Sequence, residues 1–131
     1  MKKIEILIIV DAAGALASND LSNNVYLVDT NKYFGSWNEG QCELSTVCAD
    51  QQNIAWSVTP ISQDNDVSIT NFTGQMITSK ICLPEPVGTE SDQSWEGRVE
   101  TQGATGTYQY SVVLEIDGKS MQFDPYLVVK S

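Results

Sequence analysis

The sequence contains no histidine, and only 18% of its residues are charged. Without histidine, the usual Ser-His-Asp and Cys-His catalytic arrangements and all histidine-ligated zinc or copper sites are excluded. Basic residues are scarce too, with seven Lys and Arg against seventeen Asp and Glu and a formal net charge of −10. Because phosphate recognition depends on clustered Lys and Arg, this balance argues against nucleic-acid binding and against docking on an anionic membrane.

The sequence also lacks a long apolar segment. Its longest candidate, Ile4–Val10, is interrupted by Glu5 and followed by Asp11. That is shorter than the roughly 18 apolar residues of a transmembrane helix and than an uninterrupted signal-peptide core of about 7–15 residues. We therefore expect no membrane insertion and a cytoplasmic location, with export by a route that needs no signal peptide as the alternative.

Only three cysteines are present, Cys42, Cys48 and Cys82. An odd number cannot form a complete disulfide framework, and cytosolic thiols normally stay reduced. Five residues separate Cys42 from Cys48, a wider spacing than the C-x-x-C of redox and zinc motifs. We expect reduced, half-buried thiols, with a Cys42–Cys48 disulfide as the alternative if the protein is exported.

What the sequence does contain is a series of short, β-branched or alternating segments separated by turn residues. Ile4–Val10 is apolar on both faces, so we expect it to be covered on both sides or to lie at a subunit contact. Near the end of the chain, residues 107–116 and 121–129 flank Asp117-Gly118, a dipeptide typical of a two-residue hairpin turn. Such a pattern indicates a β-sandwich of about seven or eight strands.

Other parts of the chain complete this prediction. Three further segments are assigned from their composition: a strand over residues 75–82, a long connection over 84–94 and a short helical turn over 12–17. Trp56 is expected in the centre of the core, and residues 106–110 resemble a tyrosine corner. The predicted fold class is an all-β, single-domain, immunoglobulin-like or Greek-key β-sandwich that spans residues 1–131.

Motifs for catalysis or cofactor binding are incomplete. Residues 64–66 begin like a calcium loop, but Ile69 and Gln75 stand where an EF-hand needs Gly and Glu. Gly14 follows the first strand without the further glycines of a dinucleotide-binding loop, and the sequence has no P-loop motif. We therefore predict no enzyme activity, no catalytic residues, no cofactor and no metal ion. The alternatives are a weak surface calcium site that uses Asp64, Asp66 or Asp92, and a pair of carboxylates for glycoside hydrolysis, although nothing singles out two of the seventeen acidic residues.

Two polar loops rich in aromatic residues form the candidate binding site. They combine flat rings with amide and carboxylate groups, a mixture that suits a protein interface or the stacking of sugars. The alternative is that their two tryptophans are ordinary core residues, since large aromatic side chains are mostly buried. The candidate residues are Tyr33, Phe34, Trp37, Asn38, Glu39 and Trp95.

Several segments together resemble a known family. Over nearly the whole chain, the sequence is similar to small accessory or regulator proteins encoded beside the Mak-type α-pore-forming tripartite cytotoxin of bacteria. More broadly, it resembles the AidA/PixA inclusion-body protein family. The segments that carry the resemblance are 6–12, 24–33, 35–40, 95–100 and 123–127.

The resemblance implies a non-enzymatic accessory or regulatory protein that acts through protein–protein contacts in a toxin or host-interaction system. A net charge of −10 disfavours regulation by direct DNA binding, so any regulation should act through a protein. The resemblance implies the toxin subunits as partners, because the family is encoded beside them. A lectin-like carbohydrate-binding module and an AidA/PixA-like self-assembling inclusion-body protein are the alternatives. The two-faced strand Ile4–Val10 and the segment 121–129 also suggest a homodimer formed by edge or face pairing.

Overall fold

β-strands make up most of the chain in the computed structural model, which describes residues 2–30, 44–89 and 92–130. Two short helices interrupt the strands, α1 (Ala12–Ser18) and α2 (Gln75–Thr78). The strands are β1 (Ile4–Val10), β2 (Val25–Asp29), β3 (Ser45–Ala49), β4 (Asn53–Pro60), β5 (Val67–Thr73), β6 (Glu85–Thr89), β7 (Asp92–Arg98), β8 (Gly106–Gln109), β9 (Ser111–Ile116), β10 (Lys119–Phe123) and β11 (Tyr126–Lys130).

The strands form one five-stranded sheet, in the order β2-β1-β4-β7-β6, and two three-stranded sheets, β10-β9-β5 and β3-β11-β8. The β1–β4 and β3–β11 pairs are parallel, and the remaining pairs are antiparallel. The two smaller sheets share their chain segments, because β8 runs into β9 at Tyr110 and β10 runs into β11 after Pro125. Where both segments bend, the Tyr110 N–H donates to the Pro125 carbonyl over 3.1 Å.

The hydrophobic core lies between the five-stranded sheet and the two smaller sheets. Trp56 of β4 is fully buried there, as the sequence predicts. Its ring packs at 5.0 Å from Phe72 and 5.9 Å from Tyr110, measured between ring centroids. The Trp56 indole N–H donates to the Tyr110 hydroxyl over 3.1 Å, so a polar pair inside the core is satisfied.

The predicted all-β sandwich is confirmed, but the described residues form eleven strands rather than seven or eight. Two predicted strands, 107–116 and 121–129, are each divided by the bend described above. Pro125 causes part of this difference, since proline has no N–H to donate within a sheet. The Asp117-Gly118 hairpin turn is confirmed, and both residues have positive φ angles of 48° and 88°.

Two local predictions in the middle of the chain are wrong. Residues 75–82 were expected as a strand but contain α2, which begins after Gly74 with its φ of 99°. Residues 84–94 were expected as a connection but contain β6, an exposed edge strand. The predicted helical turn near residue 12 is confirmed, because the Asp11 carboxylate accepts the Gly14 N–H over 3.0 Å and caps α1.

Candidate functional site

Most of the predicted aromatic site lies outside the described residues. Tyr33, Phe34, Trp37, Asn38 and Glu39 lie outside the described residues, as does Cys42, and their grouping with Trp95 stays a prediction. Of the predicted site residues, Trp95 is the one that lies within the described part of the chain.

Trp95 lies on β7, opposite Trp56 of β4, and is partly buried. Its ring packs against the core at a centroid distance of 5.4 Å from Phe72. The Trp95 indole N–H is buried without a hydrogen-bond partner among the described residues. Its position is that of an aromatic residue at the margin of the core.

The outer face of the five-stranded sheet presents an apolar surface instead. Even-numbered residues of β1 point into the core, so the odd-numbered residues point outward. In the register of the sheet, Leu7 lies opposite Val28 and Ile9 lies opposite Tyr26. We call Leu7, Ile9, Tyr26 and Val28 the outer apolar block.

The outer apolar block is separate from the core. Tyr26 is 44% exposed, and the other three side chains are partly exposed. None of the four belongs to the core cluster or to the partly buried residues packed against it. Single exposed apolar side chains are ordinary on protein surfaces, whereas a contiguous group is informative.

Polar residues surround the block on the same face. On the side of β4, Ser57 lies opposite Leu7 and Thr59 lies opposite Ile9. Further along the sheet, Lys3 forms an ion pair of 2.7 Å with Glu96. An apolar centre with a polar rim is the usual composition of a surface that binds another protein.

A second surface feature is a groove at one end of the sandwich, which we call the polar groove. Its larger part has a volume of about 250 Å³, and its smaller part has a volume of about 100 Å³. The two parts share Arg98 and Glu100. The larger part is lined in addition by Asp50, Gln51 and Gln102, and the smaller part by Lys80, Cys82 and Leu83.

Backbone hydrogen bonds fix the walls of the polar groove. The β3–β4 turn is tied to the chain after β7 by the Gln51 N–H, which donates to the Val99 carbonyl over 2.6 Å. The Asp50 carboxylate accepts the N–H groups of Thr101 over 2.7 Å and Gly103 over 2.9 Å. These bonds, first that of Thr101, lower the pKa of Asp50 below its ordinary value.

Residues with left-handed backbone angles are concentrated in the same groove. Gln51, Lys80 and Gln102 have φ angles of 71°, 54° and 55°, and all three contribute to its lining. Such angles are uncommon for residues other than glycine and often occur at functional sites or in tight turns. Sequence reasoning missed this groove, because its walls come from three turns that are far apart in the chain.

Charged side chains of both signs line the polar groove. Arg98 donates to the Gln51 side-chain carbonyl over 3.1 Å. Within the described part of the chain, the one ion pair is that of Lys3 and Glu96, so Lys80, Arg98 and Glu100 form none. Among the residues that the structure describes, these three side chains therefore present charges of both signs without an ion-pair partner.

Two thiols lie in the interior. Cys48 and Cys82 are free and buried, and burial raises the pKa of each to about 12. Both are therefore protonated and poor nucleophiles at neutral pH.

No metal-binding cluster of three or more His, Cys, Asp or Glu side chains occurs in the described segments. In the acidic turn considered for calcium, the Asp117 carboxylate accepts the side-chain amide N–H of Asn65 and the backbone N–H of Asp66, each over 2.8 Å. This carboxylate thus ties the acidic turn to the β9–β10 hairpin. Among the described helices, none has the length and apolar character needed to cross a membrane.

Comparison with known proteins assigns the chain to a family. The chain belongs to a family described as a domain of unknown function, DUF8788, whose model matches residues 2–122. Among solved structures, it is similar to the inclusion body protein PixA from Burkholderia cenocepacia J2315, with a TM-score of 0.71 and 12% sequence identity. That match covers 99% of this chain and 94% of the other, and at such low identity it shows a shared fold. No curated protein matches the sequence.

Proposed function

We propose that this member of the DUF8788 family is a non-enzymatic cytoplasmic protein that acts through protein–protein contacts made by its outer apolar block. The observation that carries the proposal is the register of β1 and β2. It places Leu7, Ile9, Tyr26 and Val28 side by side on the outer face, apart from the core.

Burial of this block against another protein would be favourable. Removing apolar surface from water contributes roughly 25 cal/mol per Å². Tyr26, at 44% exposure, has most to gain, and an aromatic side chain is a common anchor in protein interfaces. Ser57 and Thr59 beside the block have no charge to desolvate, and the exposed Glu5, next to Leu7 on the same face, would stay at the hydrated rim of the contact.

The partner that we propose is a second copy of the chain. The fold is shared with a protein described as an inclusion body protein, and self-assembly is the property that such a description implies. A net charge of −10 makes two copies repel at long range, so this association should strengthen as salt screens the repulsion.

The subunits of a Mak-type pore-forming toxin are the alternative partner. Support for this accessory role comes from the sequence resemblance, and the toxin subunits would bind to the same outer apolar block. Binding experiments with a second copy of the chain and with the toxin subunits distinguish the two partners.

Sedimentation velocity over a range of protein concentrations tests the proposal. We expect the wild-type protein to form dimers or larger species as its concentration rises, and more of them in about 0.5 M than in about 0.05 M salt. Tyr26→Glu should weaken association at least about tenfold, because it places a charge in the contact. Leu83→Glu is the matched control: Leu83 is also exposed, at 51%, but it lies in the polar groove, and association should be unchanged.

The outcomes separate the partners. If the wild-type protein stays monomeric but purified toxin subunits bind it and Tyr26→Glu abolishes that binding, the contact surface stands and the partner is the toxin. If neither partner binds, or if Tyr26→Glu binds as well as the wild-type protein, the proposal is wrong.

A further inference from the structure

The polar groove combines groups that one kind of small molecule would satisfy together. Arg98 and Glu100 line both of its parts, and Lys80 lines the smaller part. None of these three forms an ion pair within the described residues. At the same end lie the exposed side chain of Leu83, at 51%, and the buried thiol of Cys82.

We propose that the polar groove binds a small zwitterion with an apolar tail, of the class of the apolar α-amino acids. Arg98 and Lys80 would hold the carboxylate, and Glu100 would hold the ammonium group. The apolar side chain would lie against Leu83 and Cys82. This site is distinct from the outer apolar block, so it stands or falls independently of the proposed function.

The charges of the groove favour a zwitterion over a simple anion. Glu100 opposes an anion that binds to Arg98, because both line the same cavity. A ligand that also carries a positive group converts this repulsion into attraction. Asp50 is less available than Glu100 to bind the ammonium group of the ligand, because the Asp50 carboxylate already accepts two backbone N–H groups.

The volume of the groove and its fixed walls suit a ligand of this size. The larger part, of about 250 Å³, is a depression open to solvent, and the smaller part, of about 100 Å³, is more enclosed. Both are below the roughly 300 Å³ at which pockets for drug-sized molecules begin. The hydrogen bond from the Gln51 N–H to the Val99 carbonyl and that from the Glu100 N–H to the Ile81 carbonyl, of 2.6 and 2.7 Å, join the three chain segments. Walls that are already fixed reduce the entropy lost on binding.

An NMR titration of the ¹⁵N-labelled full chain tests this site with L-leucine as the probe. Three analogues complete the set: L-leucinamide, which lacks the carboxylate, N-acetyl-L-leucine, which lacks the ammonium group, and acetate. We expect L-leucine to shift the amide signals of Gln51, Glu100 and Gln102. Each analogue should bind at least about tenfold more weakly, because each loses one charge-assisted contact.

Charge-neutral variants assign the contacts. Arg98→Gln should weaken L-leucine binding about tenfold, whereas Glu100→Gln should make L-leucine and N-acetyl-L-leucine bind equally well. The matched controls are Lys130→Gln and Glu115→Gln, which change exposed charges outside the groove and should leave binding unchanged.

The proposal is overturned if L-leucine shifts no groove signal at about 10 mM, a concentration well above a weak site's Kd of about 1 mM. It is equally overturned if the wild-type protein binds all four compounds alike. Arg98 and Glu100 are exposed, so both variants should fold, and an unchanged thermal unfolding midpoint verifies that they do.

Discussion

The two faces of β1 differ in burial although both are apolar. On the inner face, Ile4 and Ile6 are each 1% exposed, and Ile8 and Val10 are fully buried. On the outer face, Leu7 and Ile9 are partly exposed and do not belong to the core cluster. The same strand, with the same residue types, therefore serves the interior on one side and a surface on the other.

On the inner face, the choice of side chain is limited by the available space as well as by the need for an apolar residue. Gly97 of β7 lies opposite Ile54 on this face, and a Cβ at Gly97 would stand 2.7 Å from the Cys82 sulfur. No side chain fits there without displacement of its neighbours. On the outer face, Leu7 and Ile9 are partly exposed and lie outside the core cluster. Packing in the core of the described residues therefore does not account for their apolar character, which the proposed contact with another protein would explain.

The largest expected difference between the faces is in stability. Ile8→Ala should lower the free energy of unfolding by about 2–5 kcal/mol, because it leaves a cavity in the core. Ile9→Ala, the matched change on the next residue, should cost less than about 1.5 kcal/mol, because its site is open to water. Urea unfolding of the two variants at low protein concentration, where the chain is monomeric, measures both values.

Equal losses for Ile8→Ala and Ile9→Ala would contradict this distinction between the faces. They would mean that the outer apolar block is covered within the monomer, and the proposed contact surface would then be unavailable. A second measurement at high protein concentration sharpens the result, since self-association through the block should make Ile9→Ala more costly there.

Much of this architecture can be predicted from the sequence, for identifiable reasons. Alternation in residues 107–116 and the Asp117-Gly118 turn depend on local chemistry, and the β-branched run Ile4–Val10 predicts a strand with the bounds of β1. The division of two strands at Tyr110 and Pro125 depends instead on how two sheets share the same segments. That is a tertiary property, which local patterns do not contain.

The candidate sites show the same division. The outer apolar block follows from period-two alternation in β1 once its partner strand is known, and the sequence already indicates a contact for this strand. The polar groove joins residues near positions 50, 80 and 100, whose turns meet only in the folded chain. Gln51, Lys80 and Gln102 have ordinary turn chemistry, so nothing in their local sequence singles them out.

The buried thiols provide a pH-dependent measure of the interior. Burial raises the pKa of Cys48 and Cys82 from 9.0 to about 12, so above pH 9 the unfolded chain loses thiol protons that the folded chain keeps. Stability should therefore fall between about pH 9 and 12, by about 1 kcal/mol per thiol at pH 10. Well below pH 9 the thiols stay protonated in both states and contribute no pH dependence.

Urea unfolding midpoints from pH 8 to pH 10 measure this loss. The double variant Cys48→Ala/Cys82→Ala is less stable overall because of its cavities, but its stability should fall less steeply over the same interval. Parallel slopes in the variant and the wild-type protein would show that the two thiols ionise as readily in the folded chain as in the unfolded one, and so that the interior is wet.

The smallest expected effects are those of the charges on the outer face. Glu96 forms an ion pair with Lys3 at 2.7 Å, but it also lies directly opposite Glu85 of β6, where a like charge is destabilising. Glu96→Gln removes both interactions and should change stability by well under about 1 kcal/mol. Lys3→Gln removes only the attraction, so it should cost more than Glu96→Gln, although still less than about 1 kcal/mol.

This difference should disappear in about 1 M salt, because both interactions are exposed and screened. If it persists there, the outer face shields its charges from solvent, and the contrast between an open outer face and a closed inner face is weaker than the burial of β1 indicates.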